Sequence, residues 1–115
     1  MALPAGLVWE HRPGGSNDNG GGFNAARGGT DYTLQDAAQL TCTDLAMTAG
    51  GTTLTSATGG FTDAMKGNLI YIKSGTNFAA GWYEIVSVAD TNTVTIDRDA
   101  TSGGNGSSGT GSVGG

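Results

Sequence analysis

A chain of 115 residues has room for one small domain with arms or tails. Glycine accounts for 22 residues, Gly, Thr, Ser and Asn together for nearly half of the chain, and charged residues for only 13%. A net charge of −5 disfavours binding to a phosphate backbone, no apolar run is long enough for a membrane-spanning helix, and the glycines lack the three-residue period of collagen. Met1 to Arg12 lacks the long apolar stretch of a secretory leader, so none is expected. Cys42 stands alone, which excludes an intrachain disulfide. So much glycine raises the entropic cost of folding. Association with other chains is the expected source of extra stability.

In chain order, residues 1–33 read as an extended N-terminal docking arm. Leu7, Val8 and Trp9 form its apolar cluster, and Gly14 to Gly22 form a low-complexity loop with too little side chain to bury itself. Residues 1–30 are expected to gain order on assembly. Thr33-Leu-Gln-Asp36 has capping-box spacing with Asp in place of Glu and starts a short helix through Gln39. A small β domain follows over 34–98. Leu40-Thr-Cys-Thr43 and Thr52-Thr-Leu-Thr-Ser56 alternate as strands, with Cys42 and Leu54 on the inner face. Phe61 to Lys66 fits one helical turn, with Thr62 as N-cap and Gly67 just past its end.

Half of the bulky apolar residues fall between Phe61 and Arg98. Leu69 to Lys73 is β-branched and aromatic, and Trp82 to Val88 is the best strand in the chain. Thr93 to Asp97 alternates strictly, and the turn residues Ala89 to Asn92 join these last two runs into a hairpin. Ile70 with Ile72, or else Leu69 with Tyr71, should meet Ile85, Val94 and Ile96 in one cluster. Residues 99–115 read as a Gly/Ser-rich linker or tail. The fold class is therefore all-β: a small barrel or sandwich of about five antiparallel strands in a meander, with one or two short helical turns and Gly-rich arms.

Groups able to do chemistry are sparse. Asn17-Asp18-Asn19-Gly20 holds a single carboxylate, too few for a calcium loop. Gly20 to Gly22 lacks the Lys-Ser/Thr and helix of a phosphate loop. Glu10 and the sole histidine, His11, are chain neighbours that point to opposite sides of an extended segment. Asp97 and Asp99 read as solvated turn acids rather than a paired catalytic set. Cys42 reads as a small core residue. Trp82 and Tyr83 should face opposite sides of their strand, and Trp9 reads either as a docking anchor or as part of an arm that folds back on its own barrel. No catalytic residue, metal ligand or cofactor is expected.

Strung together, several short motifs resemble the N-terminal region of tailed-bacteriophage virion structural proteins. These are Val8-Trp-Glu10, Gly15-Ser-Asn-Asp-Asn-Gly-Gly-Gly-Phe-Asn24, Gly29-Thr-Asp-Tyr32 and Gln35 to Gln39. Further along come Thr52 to Phe61, Gly67-Asn-Leu-Ile70, Gly81-Trp-Tyr-Glu-Ile85 and Asp90 to Arg98. In that class the region precedes a long repetitive β region. The resemblance implies a non-enzymatic virion protein that anchors a tail or head fibre or spike. It would act as a homo-oligomer, a trimer by analogy, bound to capsid, portal or adaptor proteins, with no nucleic-acid or membrane partner. Leu7, Val8, Trp9, Phe23 and Tyr32 are the expected interface residues. A capsid decoration or cement protein, or a carbohydrate-binding module, is the alternative.

Overall fold

The computed structural model describes Ser16, Gly20, Gly21 and residues 38–114. Six antiparallel strands close into a barrel in the order β1-β2-β5-β4-β3-β6. The strands are β1 (Leu40–Met47), β2 (Thr53–Ser56), β3 (Leu69–Thr76), β4 (Gly81–Asp90), β5 (Thr93–Ile96) and β6 (Gly106–Val113). The all-β expectation holds, and of barrel and sandwich it is the barrel. The five expected strands are all present and a sixth joins them.

The meander runs only through β3, β4 and β5. β2 pairs with β5 through Leu54↔Val94, so the chain between β2 and β3 crosses over the end of the β4–β5 hairpin. That crossing carries the expected helical turn, a 3-10 turn over Asp63–Met65 with Gly67 at φ +85°. Thr62 occupies the N-cap position without a side-chain cap. The hairpin tip anchors the crossing chain. Ser56 N–H donates to Asn92 O, Gly60 and Phe61 N–H to Thr91 O, and Asn92 Nδ2 to the carbonyls of Ser56 and Ala57 at 2.8 and 3.1 Å. Of the helix expected from Thr33, residues 33–37 lie outside the described residues, and Gln39 sits in a bend.

The core follows from alternation. Leu54, Ile70, Ile72, Ile85, Val94, Ile96 and Val113 are fully buried, with Cys42, Leu45, Met47, Phe61, Met65 and Tyr83 around them. Of the two registers for residues 69–72, Ile70 and Ile72 face inward, while Leu69 and Tyr71 turn outward, half-buried. Tyr83 is buried and Trp82 is 48% exposed, on opposite faces of β4 as expected.

The tail is the main correction. Residues 106–113 are a strand that pairs β1 on one side and β3 on the other. Its inward positions are Gly106, Gly109, Gly111 and Val113, all buried. A Cβ on Gly109 would lie 2.7 Å from Leu45 Cβ and 2.7 Å from Phe78 Cε2. Glycine is required there because Leu45 and the Phe78 ring, reaching in from neighbouring parts of the wall, already fill the space above the backbone. Ser108, at φ +51°, makes the bulge that brings Gly106 and Gly109 to the same face. A linker reading fails because the missing side chains on one strand are supplied by two large ones elsewhere.

A docking slot at one end of the barrel

At one end of the barrel the starts of β1 and β3 flank the end of β6. Gln39 N–H donates to Val113 O at 2.8 Å on one side, and Gly114 N–H donates to Leu69 O at 3.0 Å on the other. Beside Gly114 and Leu69 the two-residue segment Gly20–Gly21 is laid into the wall. Gly20 and Gly21 N–H both donate to Gly114 O, at 3.0 and 3.2 Å, and Leu69 N–H donates to Gly21 O at 3.1 Å. Gly21 and Gly114 form an antiparallel bridge. Gly20 is buried.

This slot recognises backbone alone. A Cβ on Gly20 would come within 2.0 Å of Leu69 O and 2.8 Å of Ser112 O, positions no real side chain can occupy. Gly114, at φ +65°, also favours glycine through its backbone conformation, and a Cβ there would displace the Gln39 side chain. The bonds at the slot are neutral amide-to-carbonyl contacts, so salt and pH act on it weakly. The expectation that the Gly14–Gly22 loop stays unburied is corrected at Gly20, because a chain without side chains can enter a gap that excludes them. Gly20–Gly21 pairs with the barrel of its own chain, and apart from Ser16 the rest of residues 1–30 lies outside the described residues.

The expected interface residues Leu7, Val8, Trp9, Phe23 and Tyr32 lie outside the described residues, as do Glu10, His11, Asn17, Asp18 and Asn19. Elsewhere on the wall, Tyr71 and Trp82 stack on the outer face, with ring centroids 4.4 Å apart and planes 22° apart. Arg98 lies beside them. Its guanidinium donates to Trp82 O and Asp97 Oδ2 and sits 4.2 Å from the Tyr83 ring centroid.

The acids accept from backbone N–H groups. Asp97 Oδ1 accepts from Glu84 N–H. Asp99 accepts from the Thr101 hydroxyl and N–H and from Gly50 N–H, and these bonds hold its carboxyl below the usual carboxylate range. Asp97 and Asp99 therefore bond separate stretches of backbone, Asp97 at Glu84 of β4 and Asp99 at Thr101 and Gly50. In the β1 bulge, Asp44 accepts from the Ser56 hydroxyl and from the Thr58 hydroxyl and N–H, which likewise lowers its pKa. Cys42 is buried below, where desolvation pushes its thiol up; a bond with Ser56 opposes this and the Asp44 charge adds to it. An open depression of about 460 Å³ on the β1–β2 hairpin is lined by Ala46, Met47, Thr48, Thr53 and Thr55 with Asn105, and has no charged wall.

Among the described residues no cluster of His, Cys, Asp or Glu is arranged to hold a metal ion, and no helix is long and apolar enough to cross a membrane. The chain matches no protein family, no curated protein and no solved structure.

Proposed function

We propose that this chain is a non-enzymatic structural module of a tailed-bacteriophage virion, with its N-terminal arm anchoring a fibre or spike to the particle. The observation that carries the reading is the docking of Gly20–Gly21 beside Gly114. The arm therefore joins the barrel where β6 ends, so one end of a rigid barrel gathers both flanking stretches of chain. Motif resemblance over most of the sequence supports the virion assignment, and a Thr- and Ser-rich outer wall suits packing against other proteins. The test is incorporation. Tagged chain supplied during phage infection should appear in purified particles, and deletion of residues 1–13 should abolish incorporation while leaving the melting curve of the barrel in place. Particles that incorporate the deleted chain equally well would refute the anchoring role. Glycan or peptidoglycan turnover by the purified wild type would refute the non-enzymatic reading.

A second reading is a carbohydrate-binding module. It draws on the half-exposed Trp82 stacked on Tyr71, beside the exposed polar groups of Arg98 and Asp97. A glycan-array signal lost in Trp82→Ala would favour it.

A further inference from the structure

We propose that the slot between Leu69 and Gly114 is an exchangeable strand acceptor, filled in the assembled state by Gly20–Gly21 of a second copy of this chain. The inference deepens the assembly reading and rests on it, by naming the partner and the surface.

Closure of the barrel is the first argument. Each of the six strands is paired on both sides, so along the wall no long edge is left to accept a partner strand. At this end of the barrel the Leu69 N–H and the Gly114 carbonyl extend the pairing beyond the β3–β6 wall, and Gly20–Gly21 takes both. A copy that associates through main-chain pairing has this slot open to it once the resident segment leaves.

The chemistry of the slot is the second. Recognition uses three amide-to-carbonyl bonds and a steric filter that admits only glycine at position 20. A second copy presents the identical segment, so every bond made within one chain can be made between two, which is the condition for exchange at low cost. No side-chain contact at Gly20 or Gly21 ties the segment to its own barrel.

Chain length is the third. Sixteen residues, 22–37, connect Gly21 to Ala38. Fully extended they reach about 50 Å. Gly21 bridges Gly114 while Gln39 bonds the adjacent Val113, so the two ends of the connector meet the same short stretch of β6. The connector is therefore far longer than closure onto its own barrel requires, and long enough to reach a neighbouring one.

The experiment is sedimentation velocity and native mass spectrometry on the full chain, with Gly20→Val as the blocked donor. Wild type should self-associate with rising concentration, and Gly20→Val should stay monomeric, its association weakened at least about 100-fold by loss of the three bonds. A mixture of the two should yield mixed species, because the variant keeps an empty slot for a wild-type arm. Wild type that stays monomeric, Gly20→Val that associates equally well, or absence of mixed species would each overturn the proposal. Should Gly20→Val fail to fold, a chain beginning at Gly22 keeps all six strands; its association at wild-type strength overturns the proposal, and its monomeric state with capture by wild-type arms supports it. The incorporation assay separates the two levels. A monomeric wild type that still enters particles overturns exchange alone, whereas exchange without incorporation overturns the virion reading alone.

Discussion

Phe78 and the glycines of β6 offer a sharp test of how this wall is packed. The Phe78 ring rests on three glycines at once: added Cβ atoms would lie 2.7 Å from Cδ2 at Gly75, 2.7 Å from Cε2 at Gly109 and 2.7 Å from Cζ at Gly106. An added methyl at any of the three would force the ring to shift away from its packed position. At Gly106 the three nearest atoms all belong to this ring, and the backbone there is not in the left-handed region, so Ala is excluded by Phe78 alone. Gly106→Ala should therefore cost about 1–3 kcal/mol by overpacking. Phe78→Ala should cost about 2–3 kcal/mol, below the usual range for a fully buried ring because Phe78 is half-buried. In the Phe78→Ala background the conflict is gone. There Gly106→Ala should stabilise by about 0.5–1 kcal/mol, through partial filling of the void and the smaller entropy of the unfolded chain. The effect of one substitution thus changes sign, and the coupling is about 1.5–4 kcal/mol, above the roughly 0.5 kcal/mol scatter of independent sites. A double-mutant cycle by urea unfolding measures it, and the melting temperature should move by about 4–8 °C per kcal/mol. Equal costs for Gly106→Ala in both backgrounds would show that the ring does not set the need for glycine.

Two further outcomes follow from the hydrogen bonds. Asp44 and Asp99 have native pKa values below their ordinary ones, so their contribution is complete above about pH 4 and is lost as pH falls through the lowered native values; the urea midpoint of an Asp44→Asn, Asp99→Asn chain should change less with pH below 4 than that of wild type, and parallel curves would refute the assignment. Asn92→Ala should lose about 1–2 kcal/mol with the two Nδ2 bonds, and Asn92→Asp should lose more by setting a carboxylate against the Ser56 and Ala57 carbonyls; thermal melts that rank Asp as milder than Ala would contradict this.

The parts of the fold legible in the sequence are those where large side chains alternate. Val94 and Ile96 against Thr93 and Thr95, or Ile70 and Ile72 against Tyr71, mark an inner face directly. β6 is hidden because its inward positions at 109 and 111 are glycine, which carries no hydrophobic signal; the apolar matter that covers them belongs to Leu45 and Phe78, far away in the chain. The surviving trace is the run Gly109-Thr-Gly111-Ser-Val113, in which glycine takes the place of an apolar residue at period two. The β2–β5 pairing is hidden for another reason. Asn92 reads as a turn residue tolerant of left-handed backbone, yet the described non-glycine residues with positive φ are Asn77 and Ser108. Asn92 acts instead through its side-chain donor, on a segment 35 and 36 residues earlier. The docking slot, made of main chain, leaves only the Gly20-Gly-Gly22 run as its sign.

Glycine thus plays two opposed parts in one small barrel. In β6 it lets neighbouring large side chains occupy the space a wall residue would fill, so the core closes without bulk of its own in that strand. In the arm it lets a second stretch of chain enter a wall already closed. Both depend on the same end of the same strand: Val113 seals the core, and Gly114, one residue later, turns with φ +65° to offer its carbonyl to Gly20 and Gly21. The strand that completes the domain is thereby the strand that presents the docking carbonyl. A substitution that displaces β6 should therefore loosen the arm along with the core, whereas one confined to Gly20 should release the arm and leave the core intact. That asymmetry keeps the arm contact apart from the buried core, so under the proposed exchange it can be made and broken without unfolding the barrel that carries it.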